Sequence, residues 1–245
     1  MLQALNLKKY FGGVAAVDGA TLLAAKGKIT ALIGPNGAGK TTFFNLLSGT
    51  LLPDAGELLL AGETITRLPS EERARRGLSR TFQLSRQFKN LTVGDHLHLA
   101  REQDDDKFWK SLWVRRQTSG EAELRAILSK VGLELALKTY AAELSYGQAK
   151  LLGLAMALLH PHKILLLDEP VAGVNPVIRE KIAELLRALR SEGETVLLIE
   201  HDIRFVMPLA DNVVVMDRGR AIAAGSPAEI QRDPAVLGAY LGEQL

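Results

Sequence analysis

Apolar and polar residues alternate in short runs along the first third of the chain. Leu2 to Leu7, Ala20 to Ala25, Lys28 to Ile33 and Glu57 to Leu60 have strand length and strand patterning, and glycines at Gly12-Gly13, Gly27 and Gly56 separate them. A helix is expected from Lys40 to Gly49. A second, short helix is expected from Ser70, with Ser70 as its N-cap and Glu71 and Glu72 against the positive end of its dipole. Between Gln83 and about His160 the period becomes helical, and few strand-like runs remain. After Pro161 strand and helix alternate through Lys163 to Leu167, Pro176 to Arg190, Thr195 to Glu200 and Ile203 to Leu209, which implies a buried parallel sheet. The helix after Asn175 is well specified. Pro176 stands at its first position, Ile178, Ile182, Leu185, Leu186 and Leu189 share one face, and Gly193 follows its end.

Composition narrows the class. With 245 residues, 47% of them hydrophobic and 24% charged, the chain can bury a substantial core, and disorder is not expected. Thirty basic residues against 28 acidic ones leave a net charge of +2, too small a field to point to nucleic acid as a partner. The absence of cysteine excludes disulfides, thiolate zinc sites and a cysteine nucleophile. The longest apolar stretches, Leu151 to Leu159 and Ile164 to Leu167, are much shorter than the roughly 18 residues a bilayer span requires. The N-terminus reads as a strand and not as a signal peptide.

Three segments carry candidate chemistry. Gly34-Pro35-Asn36-Gly37-Ala38-Gly39-Lys40-Thr41-Thr42 contains G-x-x-x-x-G-K-[ST], and it has an apolar strand before it and a helix after it. Glycines let successive backbone N–H groups face a phosphate, and the helix adds its positive end. Lys40 is the candidate for the β- and γ-phosphates and Thr41 for Mg²⁺. Ile164-Leu165-Leu166-Leu167-Asp168-Glu169 is an unbroken apolar run ending in two acids, as expected of a buried strand whose tip meets a ligand. Asp168 is the candidate to hold Mg²⁺, and Glu169 to act as general base on the attacking water. Upstream, Leu144-Ser145-Tyr146-Gly147-Gln148 precedes a helix. Ser145 can cap that helix while Gly147 lets backbone approach a phosphate, which makes a second anion-binding helix terminus.

That segment resembles the LSGGQ signature of ABC ATPases, with Tyr at the third position. The resemblance extends over essentially the whole chain and is greatest to the ATPases of branched-chain, or hydrophobic, amino-acid uptake transporters. Leu-Ser-Tyr-Gly-Gln, Ala172-Gly173-Val174-Asn175-Pro176, Ile199-Glu200-His201-Asp202 and the ending Asp233 to Gly242 are similar to theirs. Ala149-Lys150 and Val171 depart from the usual residues, and Val171-Ala172-Gly173 is also similar to urea-uptake ATPases. The resemblance implies an α/β fold: a P-loop NTPase core with a mostly parallel sheet, an N-terminal antiparallel β-subdomain and an inserted helical subdomain. It implies one domain over 1–245, with the core at 1–84 and 158–245 and the helical subdomain at about 85–157.

The family likeness also implies roles for particular residues. Phe11 matches the aromatic that stacks on adenine, with neighbouring Tyr10 as the alternative and a plain core position as a third reading. Gln83, in Arg80-Thr81-Phe82-Gln83, matches the glutamine that senses Mg²⁺ and the attacking water. His201 matches the switch histidine near the γ-phosphate, and Ser145, Gly147 and Gln148 match the terminus offered to ATP on the opposite subunit. The partners implied are a second ABC ATPase subunit, identical or similar, two integral membrane permease subunits contacted around Leu84 to Val93, and indirectly an extracytoplasmic substrate-binding protein. The location implied is the cytoplasmic face of the inner membrane. Urea or amide uptake, lipid or lipopolysaccharide export and a soluble non-transport ATPase remain as alternatives. Asp104-Asp105-Asp106 to Trp113 reads either as a solvated loop entering an amphipathic helix or as a partner surface.

Overall fold

A computed structural model of the chain describes residues 1–81, 88–101 and 120–240. Contacts divide it into two compact units. One comprises Met1–Arg80, His162–Pro170 and Leu186–Leu245, and the other Thr81–Pro161 and Val171–Leu185.

In the first unit, β1 (Leu2–Phe11) and β2 (Val14–Ala24) form an antiparallel hairpin turned at Gly12-Gly13. Both strands run further than their alternation suggests, because pairing continues through Lys9, Tyr10 and Phe11 where neither face is buried. β4 (Ala55–Leu60) and β5 (Glu63–Thr64) complete a sheet of order β2-β1-β4-β5. The second sheet contains β3 (Ile29–Ile33), β6 (Leu78–Arg80), β7 (Ile164–Asp168), β8 (Val196–Ile199), β9 (Asn212–Asp217) and β10 (Arg220–Gly225) in the order β10-β9-β3-β8-β7-β6. Its pairs are parallel except β10 with β9. β9 and β10 lie outside the elements expected from periodicity, since a short apolar run such as Val213 to Met216 has no period that tells strand from buried helix.

The helix α1 (Lys40–Ser48) joins the two sheets. Its Phe43, Phe44, Leu46 and Leu47 share one buried cluster with Leu2, Ala4, Leu22 and Leu58 of the antiparallel sheet and with Leu32, Leu166, Leu197 and Val214 of the parallel one. Burying one such side chain is worth roughly 1.5–3 kcal/mol. A helix of nine residues is too short to persist alone, so this packing makes it a fixed element.

The short helix α2 (Ser70–Arg75) begins differently from expectation. Pro69 is its N-cap, Ser70 is already helical, and the first turn closes from Arg73 N–H to Pro69 O at 3.1 Å. The register follows from Arg73, whose side chain is fully buried. Its guanidinium donates to the carbonyl oxygens of Leu46, of Leu47 at 2.8 Å, of Thr66 at 2.8 Å and of Leu68 at 2.9 Å. Leu46 and Leu47 lie in the last turn of α1, whose carbonyls lack helical partners, so Arg73 both satisfies them and opposes the negative end of the dipole. Burial pushes the guanidinium down to about 10, which still leaves it charged at neutral pH.

In the second unit, α5 (Tyr146–Leu159) buries Leu151, Leu152, Leu154 and Ala155 and packs against α3 (Val93–Arg101) and α4 (Glu121–Lys130). The following helix, α6 (Pro176–Ser191), has its first residues in this unit and its last in the other. In the first unit, the helix expected from Ile203 to Leu209 is shorter, α7 (Ile203–Val206), capped by Asp202 accepting from Phe205 N–H at 3.1 Å. Two further short helices, α8 (Pro227–Ile230) and α9 (Pro234–Ala239), close the described chain, capped by Ser226 and Asp233. Among the described residues no helix is long and apolar enough to cross a membrane.

Arg73→Met removes four charge-assisted bonds and strands two α1 carbonyls, with an expected loss of roughly 3 kcal/mol or more of unfolding free energy in urea titration. Stability within about 0.5 kcal/mol of the parent would refute this role for Arg73.

Candidate nucleotide site

Parallel pairing decides where the site lies. β3 pairs with β8 from Ile29↔Val196 to Leu32↔Ile199, and β8 with β7 from Leu165↔Val196 to Asp168↔Ile199. Three adjacent strands therefore end at one edge of the sheet. Gly34 to Thr41 follow the first, Asp168 and Glu169 end the third, and Glu200 and His201 follow the second. In open parallel sheets this carboxyl edge is where ligands bind.

The loop is braced from behind. Gly39 has φ 94°, and a Cβ there would stand 2.3 Å from Ala16 O; at Gly34, with φ 152°, it would stand 2.1 Å from Met216 O. Any side chain at either position would force the loop off β2 or β9. Gly219 N–H donates to Ala38 O at 2.9 Å, and Asp18 N–H donates to Gly219 O at 2.8 Å, which ties the loop to the β9–β10 turn and to β2. Lys40 is buried, and its ammonium donates to Gly34 O at 2.6 Å and Pro35 O at 3.0 Å. α1 has Gly39 as its N-cap, with no side-chain cap and no acid in its first turn, so no carboxylate of its own competes for the N–H groups there. Asn36, Gly37 and Thr41 are exposed, and Thr42 is half-buried.

The two acids have different environments. The Asp168 side chain is 8% exposed, and its Oδ2 is 3.1 Å from Nη2 of Arg80. The same guanidinium, through Nη1, donates to Asn45 Oδ1 at 2.9 Å, Ser48 Oγ at 2.8 Å and Thr50 Oγ1 at 3.3 Å, and it lies 4.5 Å from the Phe44 ring centroid. The Glu169 side chain is half-exposed, and its backbone has φ 44°, a left-handed conformation that costs a non-glycine residue of order 1 kcal/mol or more. Its N–H donates to Ile199 O at 3.0 Å, and its Oε1 is 3.6 Å from Nδ1 of His201. Asp168, Glu169, His201 and the phosphate loop thus share one edge.

Phe11 and Tyr10 are both exposed, which removes the core reading for either. They end β1, where Asp54 accepts from Tyr10 N–H and Lys9 Nζ, each at 2.8 Å. The Lys9 ammonium and the Tyr10 N–H hold the Asp54 carboxyl below its ordinary value. Lys9 Nζ is also 5.7 Å from the Phe11 ring centroid.

In the other unit, Ser145 caps α5 in a reciprocal box. Its Oγ accepts from Gln148 N–H at 3.3 Å, and Gln148 Oε1 accepts from Ser145 N–H at 2.9 Å. A Cβ on Gly147 would stand 2.8 Å from Ile178 Cγ1, so packing against α6 already requires glycine here. The Tyr146 hydroxyl donates to Ala172 O at 3.2 Å. Gln83, Leu84 to Gln87 of the expected permease-contacting stretch, the Asp104 to Trp113 segment and the terminal Leu241-Gly242 lie outside the described residues. Arg80 is the residue whose part in the site sequence reading missed. Its one signal is a basic residue directly before Thr81-Phe82-Gln83.

A family model described as ABC transporter matches residues 17–172, and one described as branched-chain amino acid ATP-binding cassette transporter matches residues 222–245. The chain is 40% identical over 250 residues to the high-affinity branched-chain amino acid transport ATP-binding protein BraF of Pseudomonas aeruginosa, covering 99% of this chain and 98% of that protein. It is 38% identical to the corresponding LivG of Escherichia coli K12, with the same coverage. A nucleotide-free ATP-binding cassette from an ABC transporter superposes with a TM-score of 0.87 at 32% identity, covering 99% of both chains. The ADP conformation of such a cassette gives 0.87 at 33%. The chain belongs to the ABC transporter family, as one of its ATP-hydrolysing cassettes.

Proposed function

We propose that this cassette powers uptake of branched-chain or other hydrophobic amino acids through a membrane transporter. The observation that carries this reading is the full-length likeness to BraF and LivG, joined by the match of residues 222–245 to the branched-chain model. That likeness favours amino-acid uptake over urea uptake or lipid export. The cassette works as a peripheral subunit at the cytoplasmic face of the cell membrane, with two permease subunits and an extracytoplasmic binding protein. The change of packing partner near residues 81 and 161 supports an inserted helical subdomain, with Val171–Leu185 packing on it.

In this reading the N–H groups from Gly34 to Thr42 and the Lys40 ammonium receive the β- and γ-phosphates, and Phe11 stacks on adenine. An exposed threonine hydroxyl and a strand-end carboxylate, Thr41 and Asp168, form an all-oxygen donor set that suits Mg²⁺ when substrate phosphates supply further ligands. Gln83 is the third residue proposed at the metal. When bound, Mg²⁺ neutralises charge developing on the phosphates. Glu169, whose backbone is left-handed, takes a proton from the attacking water as the water's oxygen bonds to the γ-phosphorus and the bond from that phosphorus to the β–γ bridging oxygen breaks, so that ADP leaves with the bridging oxygen and phosphate is released. His201, 3.6 Å from that carboxylate, orients it and the γ-phosphate. Ser145, Gly147 and Gln148 of a second ATPase subunit close the site, presenting the N-terminus of α5 to the γ-phosphate.

Glu169→Gln is expected to slow ATP hydrolysis by about 100-fold or more while leaving nucleotide affinity intact, as read by phosphate release and equilibrium binding. Hydrolysis at the parental rate would overturn the base assignment. Lys40→Ala removes bonds worth roughly 1.5–3 kcal/mol, so ATP affinity should fall about 10- to 100-fold. Base stacking is worth about 1–3 kcal/mol, so Phe11→Ala should weaken ATP binding by at least about fivefold. Tyr10→Ala should not, and the reverse result would assign the stack to Tyr10. The transport reading is tested in proteoliposomes holding this chain with its permeases and binding protein. ATP-dependent accumulation of labelled leucine, isoleucine and valine is expected, and accumulation of urea without these amino acids would contradict it.

A further inference from the structure

Arg80 has no part in the mechanism above, yet it touches two elements of the site, the tip of β7 and α1. In the register of β6 against β7 it pairs with Leu166, two residues before Asp168, so its side chain reaches diagonally along the neighbouring strand to the carboxylate. Its other nitrogen is held by Asn45 and Ser48 of α1 and by Thr50, at 2.8 to 3.3 Å, with the Phe44 ring beneath. A planar guanidinium fixed at both ends in this way cannot leave Asp168 without breaking its bonds to α1.

We propose that Arg80 is a positioning residue for the metal carboxylate: by holding Oδ2 of Asp168 against α1, it sets the orientation in which Asp168 receives Mg²⁺ together with ATP. This rests on the reading of Asp168 as a metal ligand. The carboxylate side chain is 8% exposed and that of Arg80 19%, so water screens the pair little. Carboxylates that bind metals are oriented by such outer partners, whose removal typically costs about 10- to 100-fold in metal affinity. The register also links strand to helix. A shift of β6 moves Arg80, and Arg80 carries both Asp168 and the polar side of α1, the helix whose first turn bears Lys40 and Thr41.

The test is binding of trinitrophenyl-ATP to the full chain, titrated with Mg²⁺ and repeated in EDTA, for the parent, Arg80→Met and Asp168→Asn. Arg80→Met is expected to need about 10- to 100-fold more Mg²⁺ to reach half of the metal-dependent gain in affinity, with binding in EDTA unchanged. An unchanged or lowered Mg²⁺ requirement overturns the proposal, the latter meaning that Arg80 competes with the cation. An equal loss of affinity with and without Mg²⁺ also overturns it, because Arg80 would then only support the fold. Asp168→Asn separates the two readings. If it keeps the full metal-dependent gain, the metal assignment of Asp168 fails. If it loses the gain while Arg80→Met does not, only the role of Arg80 fails. Should Arg80→Met lose its far-ultraviolet circular dichroism, the double substitution Asn45→Ala with Ser48→Ala replaces it. A raised Mg²⁺ requirement is expected there too, and an unchanged one overturns the proposal.

Discussion

β3, β8 and β7 lie side by side and run the same way, and hydrogen bonding between them leaves little choice about where their ends fall. A slip of one residue would turn every buried side chain to the opposite face, and these strands are buried throughout except at Asp168. Side-chain packing on both faces therefore holds the register, and the register delivers a phosphate loop, a carboxylate pair and a histidine to one edge. The polar residues of the site contribute little to their own placement. Glu169 and His201, both about half exposed, would have no defined separation without the strands behind them.

α1 depends on the same sheet in a second way. Its N-terminus is kept without a side-chain cap, which leaves the positive end of the helix for an anion, and that omission weakens the helix locally. Compensation comes from the other end and from below. Arg73 gathers the carbonyls of the last turn, and four apolar side chains fasten the helix to both sheets. The stability of the helix thus lies away from its functional end. The second unit repeats the theme with a different solution: α5 does have a cap, because Ser145 and Gln148 satisfy each other's backbone groups. A γ-phosphate arriving there would meet a terminus already ordered.

Features encoded in neighbouring residues were legible in the sequence. The phosphate loop, the apolar strand with its acidic tip and the helix opened by Pro176 each announce themselves within a dozen residues, and parallel strands followed from the alternation after Pro161. Features that depend on distant parts of the chain were not legible. Nothing near Ser70 shows that Arg73 will bury itself beneath α1 and set the start of α2 at Pro69. The left-handed backbone of Glu169 has no glycine to advertise it, and the exposure of Tyr10 and Phe11 depends on a hairpin that outruns its alternation. Gly147 was read as an opening for phosphate, but the nearness of Ile178 is a second reason for the same residue that no local pattern contains. Arg80 ends a short strand just before Thr81-Phe82-Gln83, and its partners Asn45, Ser48 and Asp168 are 32 to 88 residues away along the chain.

Three strand ends are proposed to form one site for ATP. A crystal structure of the chain with Mg²⁺ and a non-hydrolysable ATP analogue tests it most directly. The β- and γ-phosphates are expected within hydrogen-bonding reach of Lys40 Nζ and the loop N–H groups, with Mg²⁺ between Thr41 and Asp168 and Glu169 facing the γ-phosphate. A triphosphate bound away from the Gly34 to Thr42 loop, or a metal with Asp168 outside its coordination and its water shell, would contradict it.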